Sequence, residues 1–396
     1  MGFDGIGGKM IIQRPFWKYL IEKAWSEKNI IWLMGVRRVG KTSLCHNFEE
    51  IEYFDCERPR VRQLFVDPEE FLEGQKGKRI ALDEIHRLDN PSELLKLAAD
   101  HYPEVKIIAT GSSTLGASSK FTDTLTGRKR EIWLTPLLLN EMEYFGDNDI
   151  RHRFLFGGLP SLFSAKQLPE TDFQEWIDAY WAKDIQEFFS VAKRSSFQKF
   201  FELLLANSGG MFEASKFTVP CEVSRPTIMN YLNVLEETFV VHVVRPFSTH
   251  RPTEIVLAPK VYGFDTGFIC YAKGRSELRA EDLGFMWEHS ILNEMHGHLQ
   301  THIINYWRDK RGHEIDFIIK NRAGNIFTAI ECKFNSYSDD ILSGSIGKNF
   351  EAFRSLYPDG DNLVVSNNID TSFKKQYKDL TITFVSAKDL IMKLKS

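Results

Sequence analysis

The octapeptide GVRRVGKT at 35–42 constrains this chain more than any other feature. It follows the apolar run IIWLMG at 30–35 and precedes a helical pattern. A glycine-rich turn between a strand and a helix directs main-chain N–H groups into a concave ring that accepts phosphate. Gly35 and Gly40 permit the close backbone approach, Lys41 reaches the β- and γ-phosphates, and Thr42 holds Mg²⁺ through its hydroxyl. Arg37, Arg38, Val39 and Ser43 complete the candidate cradle. ATP and Mg²⁺ are therefore the expected cofactors.

Residues 11–145 alternate short apolar runs with helical patterns, which predicts a parallel sheet covered by helices. The expected strands are 30–35, 51–55, 79–83, 105–110 and 131–134. Asp83 ends the run RIAL, so its carboxylate stands at the C-terminal tip of a strand, where open α/β sheets bind ligands. That position suits a Mg²⁺ contact. Glu84 follows at once and is the candidate to orient or deprotonate the attacking water. After the strand VKIIAT, the serines of GSS, Ser112 or Ser113, are candidates to sense the γ-phosphate. Arg128, in LTGRKREIWL, is a candidate phosphate-directed arginine, acting in cis or in a neighbouring subunit.

These segments together resemble the AAA-like ATPases of bacteria and archaea in which a P-loop domain is fused to a C-terminal domain of unknown function. The residues carrying the resemblance are GVRRVGKT, YFD at 53–55, ALDEIHRL at 81–88, ATGSS at 109–113, LTGR at 125–128, LTPLLLNE at 134–141, GGLP at 157–160, KVYGFDTG at 260–267 and WRDKRGHEIDFII at 307–319. The resemblance spans nearly the whole chain. It implies a P-loop sheet with an additional strand, so that the strand bearing Asp83 does not adjoin the strand before the phosphate loop.

Beyond the ATPase domain (11–145), residues 146–194 read as a helical lid or connector. Residues 195–275 read as a winged-helix-like domain, with Ser224 capping a helix near Pro226, a favourable early-helix residue. Arg225 and Thr227 would then lie near a DNA groove, or in a protein-facing lid. Residues 283–396 give the order helix, strand, strand, strand, helix, strand, which looks like the core of PD-(D/E)XK nucleases. Such enzymes hold Mg²⁺ with carboxylates on adjacent strands and use a lysine beside them. Asp316 in EIDFII, with Glu331 and Lys333 two apart in AIECKF, supplies that set. Glu294 or Glu288 on the preceding helix could complete it, Glu294 being the first choice. The crowded His289, His296, His298 and His302 match no zinc spacing.

A net charge of −4 argues against a uniformly basic nucleic-acid coat. Five dispersed cysteines without a C-x-x-C pair suggest neither a disulfide framework nor a zinc ribbon, and point to a reducing, cytoplasmic setting. The longest apolar runs are far too short to span a bilayer, so no membrane partner is expected. The expectation is an ATP-hydrolysing switch or motor with a nuclease-like C-terminal domain. DNA and a second copy of the chain are its candidate partners; the alternative is a regulator of a protein partner.

Overall fold

The computed structural model describes residues 11–111, 125–186, 193–249, 258–301, 303–321, 327–335 and 344–395. The chain is an α/β protein that divides into two units, 1–192 with 233–240, and 193–232 with 241–396.

In the first unit, helix α1 (Pro15–Trp25) precedes β1 (Ile30–Met34) and α2 (Lys41–Cys45). There follow β2 (Ile51–Asp55), β3 (Arg79–Asp83), α3 (Pro91–His101), β4 (Lys106–Thr110), β5 (Lys129–Trp133) and α4 (Glu170–Tyr180). The five strands are parallel, in the order β2-β3-β4-β1-β5. The central strands read as almost unbroken apolar runs because helices cover both faces of a parallel sheet. All five residues of β1 are buried, and Ile30, Trp32, Leu82, Ile107 and Ala109 pack in one cluster with Leu94, Leu95 and Ala98 of α3. As the resemblance implies, β4 separates β3 from β1. Parallel register brings Met34, Asp55, Asp83 and Thr110 to one edge of the sheet.

The second unit opens with α5 (Arg194–Ala206), β6 (Gly210–Met211), α6 (Ala214–Cys221), α7 (Arg225–Glu237), β7 (Val241–Pro246) and β8 (Lys260–Gly263). It continues through α8 (Ala280–Leu299), β9 (Asn305–Arg308), β10 (Glu314–Lys320), β11 (Phe327–Lys333), α9 (Ser345–Arg354), β12 (Asn362–Ser366), β13 (Phe373–Tyr377), β14 (Leu380–Val385) and α10 (Ala387–Lys395). The last residues of α7 belong to the first unit. Ser224 accepts from the Thr227 N–H at the start of α7, as expected of a cap.

One mixed nine-stranded sheet runs β13-β14-β12-β11-β10-β9-β7-β8-β6. The sheet runs across the expected boundary between 195–275 and 283–396, because β7 pairs in parallel with β9 through Arg245↔Asn305 and Pro246↔Tyr306. A two-residue pairing between distant segments leaves no local pattern to read.

Around the β11-α9-β12 crossover, Trp307, Ile315, Phe350, Phe353, Val364 and Phe384 form the core. Arg354, only 6% exposed, ends α9 inside that core. Its Nε donates to Asn362 Oδ1 at 2.6 Å, Nη1 to the carbonyls of Tyr357 and Asp359, and Nη2 to those of Phe327 and Asp361. One guanidinium thus satisfies a loop's carbonyls that burial would otherwise strand. Arg354→Ala is expected to destabilise the second unit by ~3 kcal/mol or more, because four carbonyls and an amide lose their donor at once. Arg354→Lys should recover only part of this, as an ammonium lacks the planar five-donor fork. Denaturant titration of the three proteins checks the order; equal midpoints for Arg354→Ala and wild type would refute it.

Candidate functional site: a phosphate loop facing an acidic strand tip

The turn between β1 and α2 is held open by backbone geometry that side chains resist. Gly35 has φ +143°, and a Cβ there would lie 2.3 Å from the Leu134 carbonyl oxygen. Gly40 has φ +101°. Both predicted glycine roles therefore fall at positions where only glycine fits without strain. Helix α2 starts at Lys41, whose Nζ donates to the Gly35 and Val36 carbonyls at 2.7 and 3.3 Å. Burial lowers the Lys41 pKa, while Glu84, Asp184 and Asp83 pull it back up.

Opposite the loop, Asp83 is 5% exposed at the tip of β3. Its Oδ2 accepts from Thr42 Oγ1 at 2.7 Å and from the Tyr53 hydroxyl, and its Oδ1 accepts from Thr110 Oγ1. Thr42 and Asp83, predicted from separate motifs, are thereby brought into contact. An oxygen-only pair of this kind suits a hard cation such as Mg²⁺.

Glu84 adopts φ +52°, a left-handed conformation uncommon outside glycine, and strain of this sort concentrates at functional positions. Burial raises its pKa, with Lys41 opposing the rise. Its carboxylate lies 3.2 Å from His86 Nδ1.

Of the loop arginines, Arg37 points its Nε at Asp184 Oδ2, 2.8 Å away, while Arg38 is exposed with φ +62°. Val39 is buried and offers its carbonyl to Arg14 Nη1; Ser43 is exposed. Ser112 and Ser113 lie outside the described residues. The hydroxyl at the end of β4 is that of Thr110, which no motif singles out.

Arg128 is a correction. It precedes β5, whose first residue Lys129 pairs with Ile30 at the start of β1. Arg128 therefore stands at the opposite edge of the sheet from the phosphate loop, about 16 Å of strand away. There it makes a two-pronged pair with Asp100 at 2.7 and 3.1 Å, which raises its pKa. A role on the phosphate of its own subunit is excluded by that position.

A support unforeseen from sequence braces the loop from behind. Arg14 Nε and Nη2 bind the two Glu141 oxygens at 2.7 and 2.8 Å, and Trp17 Nε1 donates to the same carboxylate. Both charges are buried, so each needs the other. The only hint was Glu141 in the quoted LTPLLLNE.

In the second unit, antiparallel register (Phe317↔Ile330) sets Asp316 opposite Glu331. Asp316 Oδ2 accepts from the Cys332 N–H at 2.8 Å, Glu331 Oε1 accepts from Asn349 at 3.2 Å, and Lys333 Nζ lies 3.4 Å from Glu331. Of the two helical acids, Glu288 is the one on which the Asp316 charge acts, whereas Glu294, the first choice from sequence, pairs with His298 at 3.4 Å on its own helix. Six residues turn a helix by about 240°, so the two glutamates occupy different faces.

Lys260, from β8, also enters this cluster, pairing with Glu314 and lying 3.9 Å from Glu288. Tyr262 donates to Glu288 at 2.6 Å. Among the described residues, no group of three or more His, Cys, Asp or Glu could hold a metal ion. His289 instead joins Ser208 and the Phe285 carbonyl, and His302 lies outside the described residues. All five cysteines are free and buried. Among the described residues, no helix is long and apolar enough to cross a membrane.

The loop after β1, the helix that follows it and the acidic tip of β3 are the parts of a phosphate-loop sheet. Residues 27–143 match the AAA domain family, and 147–279 and 283–387 match two domains of unknown function, DUF8612 and DUF4143. An uncharacterized protein of Mycobacterium tuberculosis is 24% identical over 323 residues, covering 78% of this chain and 72% of its own length. An uncharacterized protein of Haemophilus influenzae is 23% identical, covering 68% and 67%. The Walker-type ATPase of Pyrococcus abyssi is similar over 66% of this chain and 96% of its own, at 18% identity and TM-score 0.45.

Burial lifts Glu331 to about 8 and Glu288 to about 7, in each case with the Asp316 charge adding to the rise and a lysine opposing it. The folded pKa of each exceeds the ordinary 4.5, so the folded state keeps protons that the unfolded chain releases. The stability they contribute is complete below pH 4.5 and is lost as pH climbs through about 7 to 8. Thermal midpoints should fall over that window, and Glu331→Gln should flatten the fall. A Glu331→Gln profile parallel to wild type would contradict this.

Proposed function

We propose that the chain is a Mg²⁺-dependent ATPase acting as a molecular switch or motor. The observation that carries this is the contact of Thr42 with Asp83, which joins a phosphate loop to an acidic strand tip beside Lys41. In this reading, Thr42 and Asp83 would hold Mg²⁺, which would supply neutralising charge to the phosphates. Main-chain groups of Gly35 to Thr42, with Ser43 behind them, cradle the phosphates, and Lys41 adds a fixed cation. Glu84, half-buried and acted on by the Lys41 charge, orients the attacking water and takes its proton. Thr110 holds the Asp83 carboxylate in place, and Ser112 remains the candidate contact to the γ-phosphate. Arg128 can serve only a neighbouring subunit's nucleotide, which ties its role to a homo-oligomer.

For the second unit we infer a nuclease-like core, supported by the order α8-β9-β10-β11-α9-β12 and by Asp316, Glu331 and Lys333 on neighbouring strands. DNA is the substrate such a core would meet, with α5, α6 and α7 as an adjoining winged-helix element. A specific observation favours the alternative, in which the core is inactive and ATP regulates a protein partner. Lys260, which stands outside the expected set of Asp316, Glu331 and Lys333, adds a second cation to the acidic cluster, which offers no ready three-ligand metal group among the described residues. The acids therefore do not fit a metal as they stand, and no cleavage step is derived from them.

Lys41→Ala is expected to lose ATP binding, and Glu84→Gln to bind ATP while hydrolysing it at least ~100-fold more slowly. Equilibrium binding and phosphate release measure the two. A Lys41→Ala protein that turns over ATP like wild type would sink the reading. Incubation with supercoiled DNA in Mg²⁺ or Mn²⁺, with Asp316→Ala as control, separates the two views of the second unit: cutting that the substitution abolishes supports the nuclease. Equal cutting by both, or none, favours the regulator.

A further inference from the structure

The helical segment after the GGLP turn lies outside the 27–143 match, yet it touches the phosphate loop at two points. Trp176 of α4 donates from Nε1 to the Arg37 carbonyl at 2.9 Å. Asp184 receives Arg37 Nε at 2.8 Å. Asp184 is 4% exposed and sits in a π-helical turn, Trp181–Ile185, that continues α4. Such turns sacrifice regular helix bonding and recur at functional positions.

The segment is firmly built. Trp176 is fully buried and stacks on Tyr180, with ring centroids 5.2 Å apart, and the Tyr180 hydroxyl meets Thr238 Oγ1 at 2.6 Å. Asp184 also acts on Lys41, being one of the charges that raise its pKa against burial. A buried carboxylate is thus directed at Arg37 and felt by Lys41, cations of a loop shaped for phosphate. A triphosphate brought to the same loop meets that carboxylate as a competitor and as a like charge in a poorly screened setting.

We propose that Asp184 is an internal anion that competes with the nucleotide's phosphates for Arg37. Nucleotide binding then loosens the Arg37–Asp184 pair, and the change passes to α4 through Trp176. The inference rests on the phosphate-loop reading and adds a regulatory contact to it. It makes α4 and its π turn the sensor of nucleotide state in the first unit.

The test uses the full chain with Mg²⁺ and either AMP-PNP or ADP, followed by calorimetry and tryptophan emission. Asp184→Asn should bind AMP-PNP roughly tenfold more tightly than wild type, with a smaller gain for ADP, which lacks the γ-phosphate. Asp184→Glu should stay near wild type, and the gain should vanish when Asp184→Asn is combined with Arg37→Ala. AMP-PNP should alter the emission of wild type but not of Trp176→Phe. Unchanged or weaker AMP-PNP binding by Asp184→Asn, or an emission change that survives in Trp176→Phe, overturns the proposal. If Lys41→Ala abolishes binding while Asp184→Asn behaves like wild type, the role of Asp184 alone fails; if Lys41→Ala still binds, the phosphate-loop reading fails with it.

Discussion

The first unit depends on one buried carboxylate. Asp83 stands at the end of an apolar strand, where an ionised group without partners would be costly. Three hydroxyls satisfy it: Tyr53 from β2, Thr110 from β4 and Thr42 from the helix after β1. Each comes from a different βα step, so the carboxylate is satisfied only when the strands lie in the observed register. The same requirement that fixes the sheet order also brings the phosphate loop to the acidic tip. Fold and site are one solution to one electrostatic problem, and the short hydroxyl contacts are ones a hard cation can replace.

That logic explains which parts of the first unit were legible in sequence. The strands at 30–35, 79–83 and 105–110 stood out because a parallel sheet buried on both faces demands continuous apolar runs. Gly35, Gly40, Lys41, Thr42 and Asp83 were readable because the spacing of a phosphate loop is a local covalent property. Thr110 was not, since a threonine ending an apolar strand has no pattern apart from its contact with Asp83. Arg128 misled for a related reason: its distance along the chain from the loop is uninformative, and only the parallel direction of β5 shows which edge it occupies. Arg14 and Glu141, 127 residues apart, form a pair that no local rule brings together.

In the second unit the local order of elements was readable and the sheet was not. The run of helix, three strands, helix and strand follows from periodicity and turn residues. The joining of β6, β7 and β8 to that core rests on a short β7–β9 ladder and on side chains such as Tyr306, whose hydroxyl reaches the Ala258 carbonyl at 2.7 Å. The choice between Glu288 and Glu294 needed the rotational phase of a helix that is buried on nearly every side, where amphipathic pattern gives little guidance. Lys260 lies 56 residues before Asp316 in sequence and becomes its neighbour only through β8.

The two acidic clusters therefore differ in how their charge is balanced, and the difference bears on function. Asp83 is met by neutral hydroxyls, which leave its negative charge available to a cation. Glu288, Glu314 and Glu331 are met by the ammonium groups of Lys260 and Lys333, which neutralise charge instead of preserving it. A divalent ion entering the second cluster must displace or repel a lysine, and it must also draw protons from glutamates that burial keeps partly protonated near neutral pH. Cation binding there is opposed twice over, by a fixed positive charge and by proton loss. The electrostatics consequently favour chemistry at the phosphate loop, and leave the second cluster dependent on a rearrangement of Lys260 or Lys333 before it can do the same.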